Sequence, residues 1–187
     1  MLTIPNTLTF ARFLGIPLFV YLALGLEADG WAIVVLAIGG ATDYFDGKLA
    51  RALGQESKFG EIADPTIDRL YIAATLVTLY LREAIPLWLI LLLVLRDVFM
   101  LGVAAVLAAK GFAPLKVTYL GKAATFNLLY AFPLLLLALS DTWYGNLAFI
   151  FGWAFAIWGV CLYLGTAIGY FRTALRTITV RPLVIEG

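Results

Sequence analysis

Apolar residues follow one another in six long runs along the chain, and short polar or turn-forming stretches separate the runs. A hydrocarbon core about 30 Å thick needs about 20 helical residues, at a rise of about 1.5 Å each. The runs that reach this length are residues 7–26, 31–50, 63–82, 86–109, 120–140 and 147–170. Because membrane strands are only about half as long, the pattern predicts six transmembrane helices and an all-α integral membrane protein.

The composition favours a membrane location and excludes several classes of protein. Of the 187 residues, 63% are hydrophobic and 13% are charged, whereas soluble domains have about 45–50% and about 25%. A net charge of +1 argues against nucleic acid as a partner. With no histidine and one cysteine, Cys161, the chain has neither imidazole chemistry nor an internal disulfide, and Cys161 is interpreted as a packing residue. Since little sequence lies outside the six runs, we expect a single catalytic domain over residues 1–187.

Charged and aromatic residues predict the orientation of the helices. Ten of the 13 basic residues fall on one side of an alternating six-span topology, one falls on the other side, and two lie inside apolar runs. The positive-inside rule makes the basic side cytoplasmic, so both termini are expected in the cytoplasm and the protein in the plasma membrane. Three tryptophans border the opposite loops, as interfacial anchors do: Trp31, Trp88 and Trp143.

Four aspartates lie in the second and third runs, in two pairs. Asp43 and Asp46 are three residues apart, so they share one helix face. Asp64 and Asp68 are four residues apart and share a face in the same way. Carboxylates at low dielectric need cations or protons to neutralise them, and a set of oxygen ligands favours Mg²⁺ or Mn²⁺. The pattern therefore indicates a divalent-cation site, although a single aspartate near a span end could also be solvated at the interface.

Other polar residues are expected at a similar depth. Arg96 and Asn127 lie about as far from the outer breaks as the aspartates do, and a charge in the membrane costs about 2.5–3.5 kcal/mol on insertion scales. We therefore expect a shared polar cavity that opens to the cytoplasm. Arg96 and Asp97 could form an ion pair within one helix, but adjacent residues point roughly 100° apart, which favours a different neighbour for each. Asn127 could equally make a hydrogen bond between helices.

The aspartate segment resembles the signature of a known family, the CDP-alcohol phosphatidyltransferases. This signature is D-x2-D-G-x2-A-R-x8-G-x3-D-x3-D. Every spacing is met here, by Asp43, Asp46, Gly47, Ala50, Arg51, Gly60, Asp64 and Asp68. The layout of six runs is also similar to that of the family, so the resemblance covers almost the whole chain.

The resemblance implies ligands and roles for these residues. Two divalent cations, Mg²⁺ or Mn²⁺, would lie among the four aspartates and hold the diphosphate of CDP-diacylglycerol. Asp68 would take the proton of an acceptor hydroxyl, and CMP would leave. Residues implied around the cytidine nucleotide are Thr9, Arg12, Gly47, Ala50, Arg51, Ser57 and Gly60. The family further implies a homodimer among membrane lipids.

The acceptor is expected to be of the glycerol type. We hypothesise that its phosphate meets cationic side chains at or above the cavity, namely Arg96, Lys110, Lys122 and Arg172, although the lysines and Arg172 are also typical of a basic inner rim. The Arg96-Asp97 pair and residues 55–60 resemble eukaryotic-type cardiolipin synthases, which favours phosphatidylglycerol. Glycerol 3-phosphate is the alternative acceptor, although the second lysine typical of phosphatidylglycerophosphate synthases is missing after Lys122. Two other classes stay open, a small ion-coupled transporter and a protein in which the metals only stabilise the fold.

Overall fold

The computed structural model describes the backbone of residues 4–53, 58–113 and 118–180, and the side chains of residues 10–42, 66–113 and 118–179. All regular structure within these ranges is helical, which confirms the predicted all-α class. The elements are α1 Ile4–Val20, a π-helical turn Tyr21–Gly25, α2 Asp29–Leu53, α3 Lys58–Leu81, α4 Leu87–Ala109, α5 Tyr119–Leu137 and α6 Trp143–Val180.

Three helices of the described part are long and apolar enough to cross a membrane. They are residues Leu87–Ala109, Tyr119–Leu137 and Trp143–Thr179. Many large apolar side chains are exposed on the helices, and Leu95, Leu101 and Trp158 are examples. Such a surface is unfavourable in water but is well solvated by lipid tails. The chain is therefore a membrane protein.

Helix α6 is longer than the apolar run that predicts it, which covers residues 147–170. It begins four residues earlier, where the Thr142 hydroxyl accepts a hydrogen bond from the Gly145 N–H at 3.1 Å and caps the helix. It continues to Val180 because apolar positions recur at helical spacing on one face, although polar residues interrupt the run. Cys161 lies on this helix and is exposed, so its interpretation as a packing residue is wrong.

The chain forms two compact units. The first unit comprises Met1–Ile85 and Phe132–Gly152, and the second comprises Pro86–Ala131 and Trp153–Gly187. In the first unit α1 packs against both α2 and α3. In the second unit α5 and α6 approach closely at Gly159, where a Cβ atom would lie 2.9 Å from Leu128 Cγ. Small residues allow such contacts between membrane helices.

Arg82, at the end of α3, ties together the ends of three elements in the first unit. Its Nη1 and Nη2 donate to the two carboxylate oxygens of Asp29, at 2.9 and 3.2 Å. Nη1 also donates to the Ala23 carbonyl, which belongs to the π-helical turn. We call Arg82, Asp29 and the Ala23 carbonyl the Arg82 clamp. It joins the π-helical turn, the start of α2 and the end of α3.

Candidate active site

Two residues predicted for different roles, Arg12 of α1 and Asp68 of α3, form an ion pair in the first unit. Arg12 Nη1 donates to Asp68 Oδ1 at 2.9 Å. The Arg12 side chain is 2% exposed, whereas that of Asp68 is 42% exposed. The buried guanidinium therefore positions a carboxylate that a ligand can still reach. Arg12 is predicted from the sequence to contact the nucleotide, and the contact with Asp68, 56 residues away in the chain, leaves no local sequence pattern.

Tyr71, one helical turn beyond Asp68, lies where α1, α2 and α3 meet. Its hydroxyl donates to the Val35 carbonyl of α2 at 3.1 Å. A Cβ atom at Gly39 would lie 3.0 Å from the Tyr71 ring, and one at Gly15 would lie 3.5 Å from the Tyr71 hydroxyl. Tyr71 was not predicted from the sequence. The available signal is a glycine within each of two apolar helices, Gly15 in α1 and Gly39 in α2, which indicates a close contact there.

The contacts between α2 and α3 determine how the two helices are aligned. Asp29 pairs with Arg82, and Gly39 lies against Tyr71. Because residue numbers rise along α2 as they fall along α3, the two helices run antiparallel. At a helical period of about 3.6 residues, this register predicts Asp68 opposite position 43.

This register locates the backbone positions of the predicted metal ligands along the two helices. Positions 43 and 46 follow Gly39 by one and two turns, and positions 68 and 64 precede Tyr71 by one and two turns. The four aspartates therefore belong to facing stretches of two antiparallel helices. Carboxylates contributed by two such helices are a donor set that suits Mg²⁺ or Mn²⁺, so the residues fit the predicted pair of divalent cations.

Most of the predicted motif side chains lie outside the described residues. They are those of Thr9, Asp43, Asp46, Gly47, Ala50, Arg51, Ser57, Gly60 and Asp64. Where side chains are described, no group of three or more carboxylate, cysteine or histidine residues is arranged to hold a metal ion. That part of the chain includes only Asp68 of the four aspartates. The roles of the others stay predictions.

The second unit contains Arg96, which was predicted to contact the acceptor. Arg96 Nη1 donates to Asp97 Oδ1 at 3.0 Å, and the guanidinium carbon lies 3.7 Å from the centre of the Tyr163 ring. The Tyr163 hydroxyl donates to the same Asp97 oxygen. The expectation that Arg96 and Asp97 meet different neighbours is wrong, because the flexible arginine side chain reaches the adjacent carboxylate and Tyr163 of α6 contacts both residues.

The Nε atom of Arg96 takes no part in these contacts. The Arg96 side chain is 13% exposed, and its Nε atom is buried without a hydrogen-bond partner among the described residues. A buried donor in that state costs about 1–3 kcal/mol. The guanidinium as a whole keeps a small exposed fraction and a positive charge, which would attract an anion such as a phosphate.

The remaining predicted acceptor contacts are exposed near helix ends. Lys110 ends α4, Lys122 lies in the first turn of α5 with its Nζ 5.9 Å from the centre of the Tyr119 ring, and Arg172 lies on α6. Their exposure fits a basic rim as well as it fits a ligand role. Asn127 donates to the Ala123 carbonyl of its own helix at 2.8 Å.

Comparison with known proteins places the chain among enzymes of lipid synthesis. The sequence profile described as "CDP-alcohol phosphatidyltransferase" matches residues 2–158. A Streptomyces coelicolor protein named cardiolipin synthase (CMP-forming) is 51% identical over 189 residues, which cover 98% of this chain and 85% of that protein. A Mycobacterium tuberculosis protein named putative cardiolipin synthase is 40% identical over 98% of this chain and 87% of its own length. A Cereibacter sphaeroides CDP-diacylglycerol--glycerol-3-phosphate 3-phosphatidyltransferase is 38% identical over 72% of this chain and 63% of its own length.

Proposed function

The chain belongs to the CDP-alcohol phosphatidyltransferase family and is a CDP-diacylglycerol-dependent phosphatidyltransferase, and we propose that its acceptor is phosphatidylglycerol. The products would then be cardiolipin and CMP. One observation carries this choice of acceptor: 51% identity, over nearly the full length of this chain, to a relative named cardiolipin synthase (CMP-forming). Glycerol 3-phosphate is the second candidate, favoured by a relative of that specificity that is 38% identical over 72% of the chain.

The reaction requires one proton acceptor and one leaving group. The acceptor hydroxyl oxygen forms a bond to the phosphorus that carries the diacylglycerol, while the bond from that phosphorus to the CMP oxygen breaks. The hydroxyl proton passes to the Asp68 carboxylate, and CMP leaves with the bonding electron pair. Support for Asp68 as the base comes from its partial exposure, and the contact with the buried Arg12 guanidinium would orient the carboxylate.

The aspartate quartet is proposed to hold two divalent cations, in a family that is generally dependent on such cations. When bound, the cations would neutralise the diphosphate and the charge that develops on the attacking and leaving oxygens. The antiparallel register of α2 and α3 supports this assignment, because it carries both aspartate pairs onto facing helix stretches. The nucleotide is assigned to the motif residues and to the start of α1, namely Thr9, Arg12, Gly47, Ala50, Arg51, Ser57 and Gly60.

Arg96 is proposed to contact the phosphate of the acceptor. Asp97 and Tyr163 hold its guanidinium from two sides, and its Nε donor lacks a protein partner in the described part of the chain. Phosphatidylglycerol and glycerol 3-phosphate both present an anionic phosphate oxygen, so this contact suits either acceptor. Lys110, Lys122 and Arg172 are assigned to the same anion as exposed basic residues.

We further propose that the chain works as a single six-span catalytic domain with a polar cavity open to the cytoplasm. Both termini would be cytoplasmic, and the protein would act as a homodimer in the plasma membrane. Three apolar helices and the three exposed tryptophans that open α2, α4 and α6 support this arrangement. Interfacial tryptophans at these starts are expected if the three starts share one membrane surface.

The test uses purified protein in lipid nanodiscs with CDP-diacylglycerol, Mn²⁺ and either acceptor. We expect CMP release with phosphatidylglycerol, and thin-layer separation of the lipid product should show cardiolipin. Production of phosphatidylglycerophosphate alone would instead assign glycerol 3-phosphate as the acceptor. Arg96→Ala should raise the acceptor KM about 10–150-fold, since a lost contact to a charged group is worth about 1.5–3 kcal/mol. Wild-type acceptor kinetics in that variant would remove Arg96 from the site.

A further inference from the structure

We infer that Tyr71 is a positioning residue whose ring sets the spacing between the two helices that carry the aspartates. This inference rests on the proposed function, because it concerns how the chain presents its metal ligands. Tyr71 lies outside the aspartate motif and is 9% exposed, so it does not face lipid or solvent. Its side chain instead contacts α1 and α2.

The ring lies closer to the α2 backbone than a side chain at position 39 would ordinarily allow. A Cβ atom at Gly39 would lie 3.0 Å from both Cζ and the hydroxyl oxygen of Tyr71. A Cβ atom at Gly15 would lie 3.5 Å from the hydroxyl oxygen and 3.7 Å from a ring carbon. The ring is thus close to the backbone of α1 as well as to that of α2. It has little room on the α2 side, and tightly packed interiors transmit changes at such a contact to their neighbours.

A hydrogen bond holds the ring in this position. The Tyr71 hydroxyl donates to the Val35 carbonyl at 3.1 Å, and Val35 lies one turn before Gly39 on α2. The ring of Phe19 on α1 lies at 6.3 Å from the Tyr71 ring, centre to centre. Tyr71 is therefore constrained by a polar contact to α2 and by apolar contacts to α1 and α2.

The spacing matters because the aspartates lie next to this contact on both helices, after Gly39 on α2 and before Tyr71 on α3. Asp68 lies one turn from Tyr71 on α3, and position 43 lies one turn from Gly39 on α2. Ligands on two helices bind the same ions only if the helix separation suits metal–oxygen distances of about 2.0–2.1 Å for Mg²⁺. A bulkier contact at Tyr71 would move the two aspartate pairs apart. A contact that packs less tightly would leave the distance between the pairs variable. Residues that hydrogen-bond metal ligands typically change metal affinity about 10–100-fold when they are replaced, and Tyr71, which acts through the helix spacing, is expected at the lower end of that range.

Gly39→Ala tests the inference, and Gly40→Ala is its matched control. The added methyl group at position 39 meets the Tyr71 ring at 3.0 Å, whereas one at position 40 meets nothing within 4 Å. The measurement is Mn²⁺ binding by the purified full-length chain without substrates, followed by electron paramagnetic resonance. We expect Gly39→Ala to weaken Mn²⁺ binding about tenfold, and Gly40→Ala to leave it unchanged. The Mn²⁺ concentration that gives half-maximal CMP release should shift in parallel.

Tyr71→Phe keeps the ring and removes the bond to Val35, so it should weaken Mn²⁺ binding less than Gly39→Ala does. Tyr80→Phe, at an exposed position on the same helix, is the control for this change. Because both changes act on one contact, the Gly39→Ala/Tyr71→Phe double variant should lose less affinity than the sum of the single losses. A merely structural contact would lower the melting temperature and leave the Mn²⁺ affinity of the folded protein unchanged.

Wild-type Mn²⁺ affinity in folded Gly39→Ala protein would overturn the inference and leave the proposed function intact. If Gly39→Ala does not fold, Tyr71→Phe decides, and an unchanged Mn²⁺ affinity in that variant would overturn the inference equally. Failure of the wild-type chain to bind Mn²⁺ or to release CMP would instead overturn the proposed function, and the inference with it.

Discussion

Two arginine–aspartate pairs among the described residues of the first unit differ in the number of hydrogen bonds between the two partners. In the Arg82 clamp, both Nη atoms bond to Asp29, both side chains are 16% exposed, and the Ala23 carbonyl accepts a further bond. In the other pair, Arg12 Nη1 donates to Asp68 Oδ1, and the Asp68 side chain is 42% exposed.

The difference separates a structural pair from one that serves chemistry. A two-bond pair with a third acceptor uses most of the donor and acceptor capacity of its members, so it stabilises the fold and offers little to a ligand. A buried arginine beneath a partly exposed carboxylate fixes that carboxylate and leaves it accessible. We therefore expect substitutions in the Arg82–Asp29 pair to affect mainly stability, and substitutions in the Arg12–Asp68 pair to affect mainly activity.

The largest expected effect is that of Asp68→Asn. The amide keeps the size of the side chain and loses its basicity, so CMP release should fall about 10²–10⁴-fold. The melting temperature should also fall, because the buried Arg12 guanidinium loses its charged partner, so CMP release is compared per folded molecule. Asp29→Asn is the matched control and should lower the melting temperature while retaining CMP release per folded molecule. Comparable losses of CMP release in the two variants would abolish the distinction between the pairs.

Arg12→Ala should reduce kcat for CMP release about 10–100-fold, since Arg12 orients the proposed base and replacements behind active groups have effects of this size. Arg12→Lys, which keeps a charge but offers a different donor geometry, should restore part of the activity. Steady-state kinetics with varied CDP-diacylglycerol would also detect the predicted nucleotide contact as a raised KM. Unchanged kinetics in Arg12→Ala would make this pair structural, like the clamp.

Arg82→Ala should mainly affect stability. Removal of the guanidinium leaves the Asp29 carboxylate and the Ala23 carbonyl without this donor, which costs about 1–3 kcal/mol. Thermal unfolding in nanodiscs measures the loss, and CMP release per folded molecule should stay close to wild type. In a double-variant cycle with Asp29→Ala, the two losses should be strongly non-additive. Additive losses would show that Arg82 and Asp29 do not stabilise the fold as a pair.

The smallest expected effect is that of Glu27→Gln. Glu27 Oε2 lies 4.0 Å from Arg82 Nη2 and its side chain is 72% exposed, which makes this an exposed ion pair. Such pairs contribute about 0–1 kcal/mol, so the melting temperature should barely change. A loss as large as that of Arg82→Ala would extend the Arg82 clamp to Glu27.

Features that depend on local sequence could be predicted without the structure. Helix positions follow from runs of apolar residues, and the pairing of Asp64 with Asp68 on one face follows from their spacing alone. The end of α6 was missed for a local reason as well. Its amphipathic continuation past residue 170 contains Arg172 and Arg176, which end a continuous apolar run but do not end a helix.

Features that depend on contacts between helices could not be predicted in this way. The sequence analysis placed Arg12 at the nucleotide, and the structure pairs it with Asp68. It separated Arg96 from Asp97, whereas Tyr163, 66 residues from Asp97, joins them. Rotamer choice and helix crossing decide such contacts, and neither leaves a periodic trace in the sequence.

The sequence by itself determined the helical class, the membrane environment and the family, because hydrophobic length and motif spacing act within one segment of chain. Only the tertiary structure decided which arginine orients the proposed base and which tyrosine separates the aspartate helices. Those outcomes depend on how closely α1, α2 and α3 approach, and that distance is set by glycine and tyrosine packing between segments far apart in sequence.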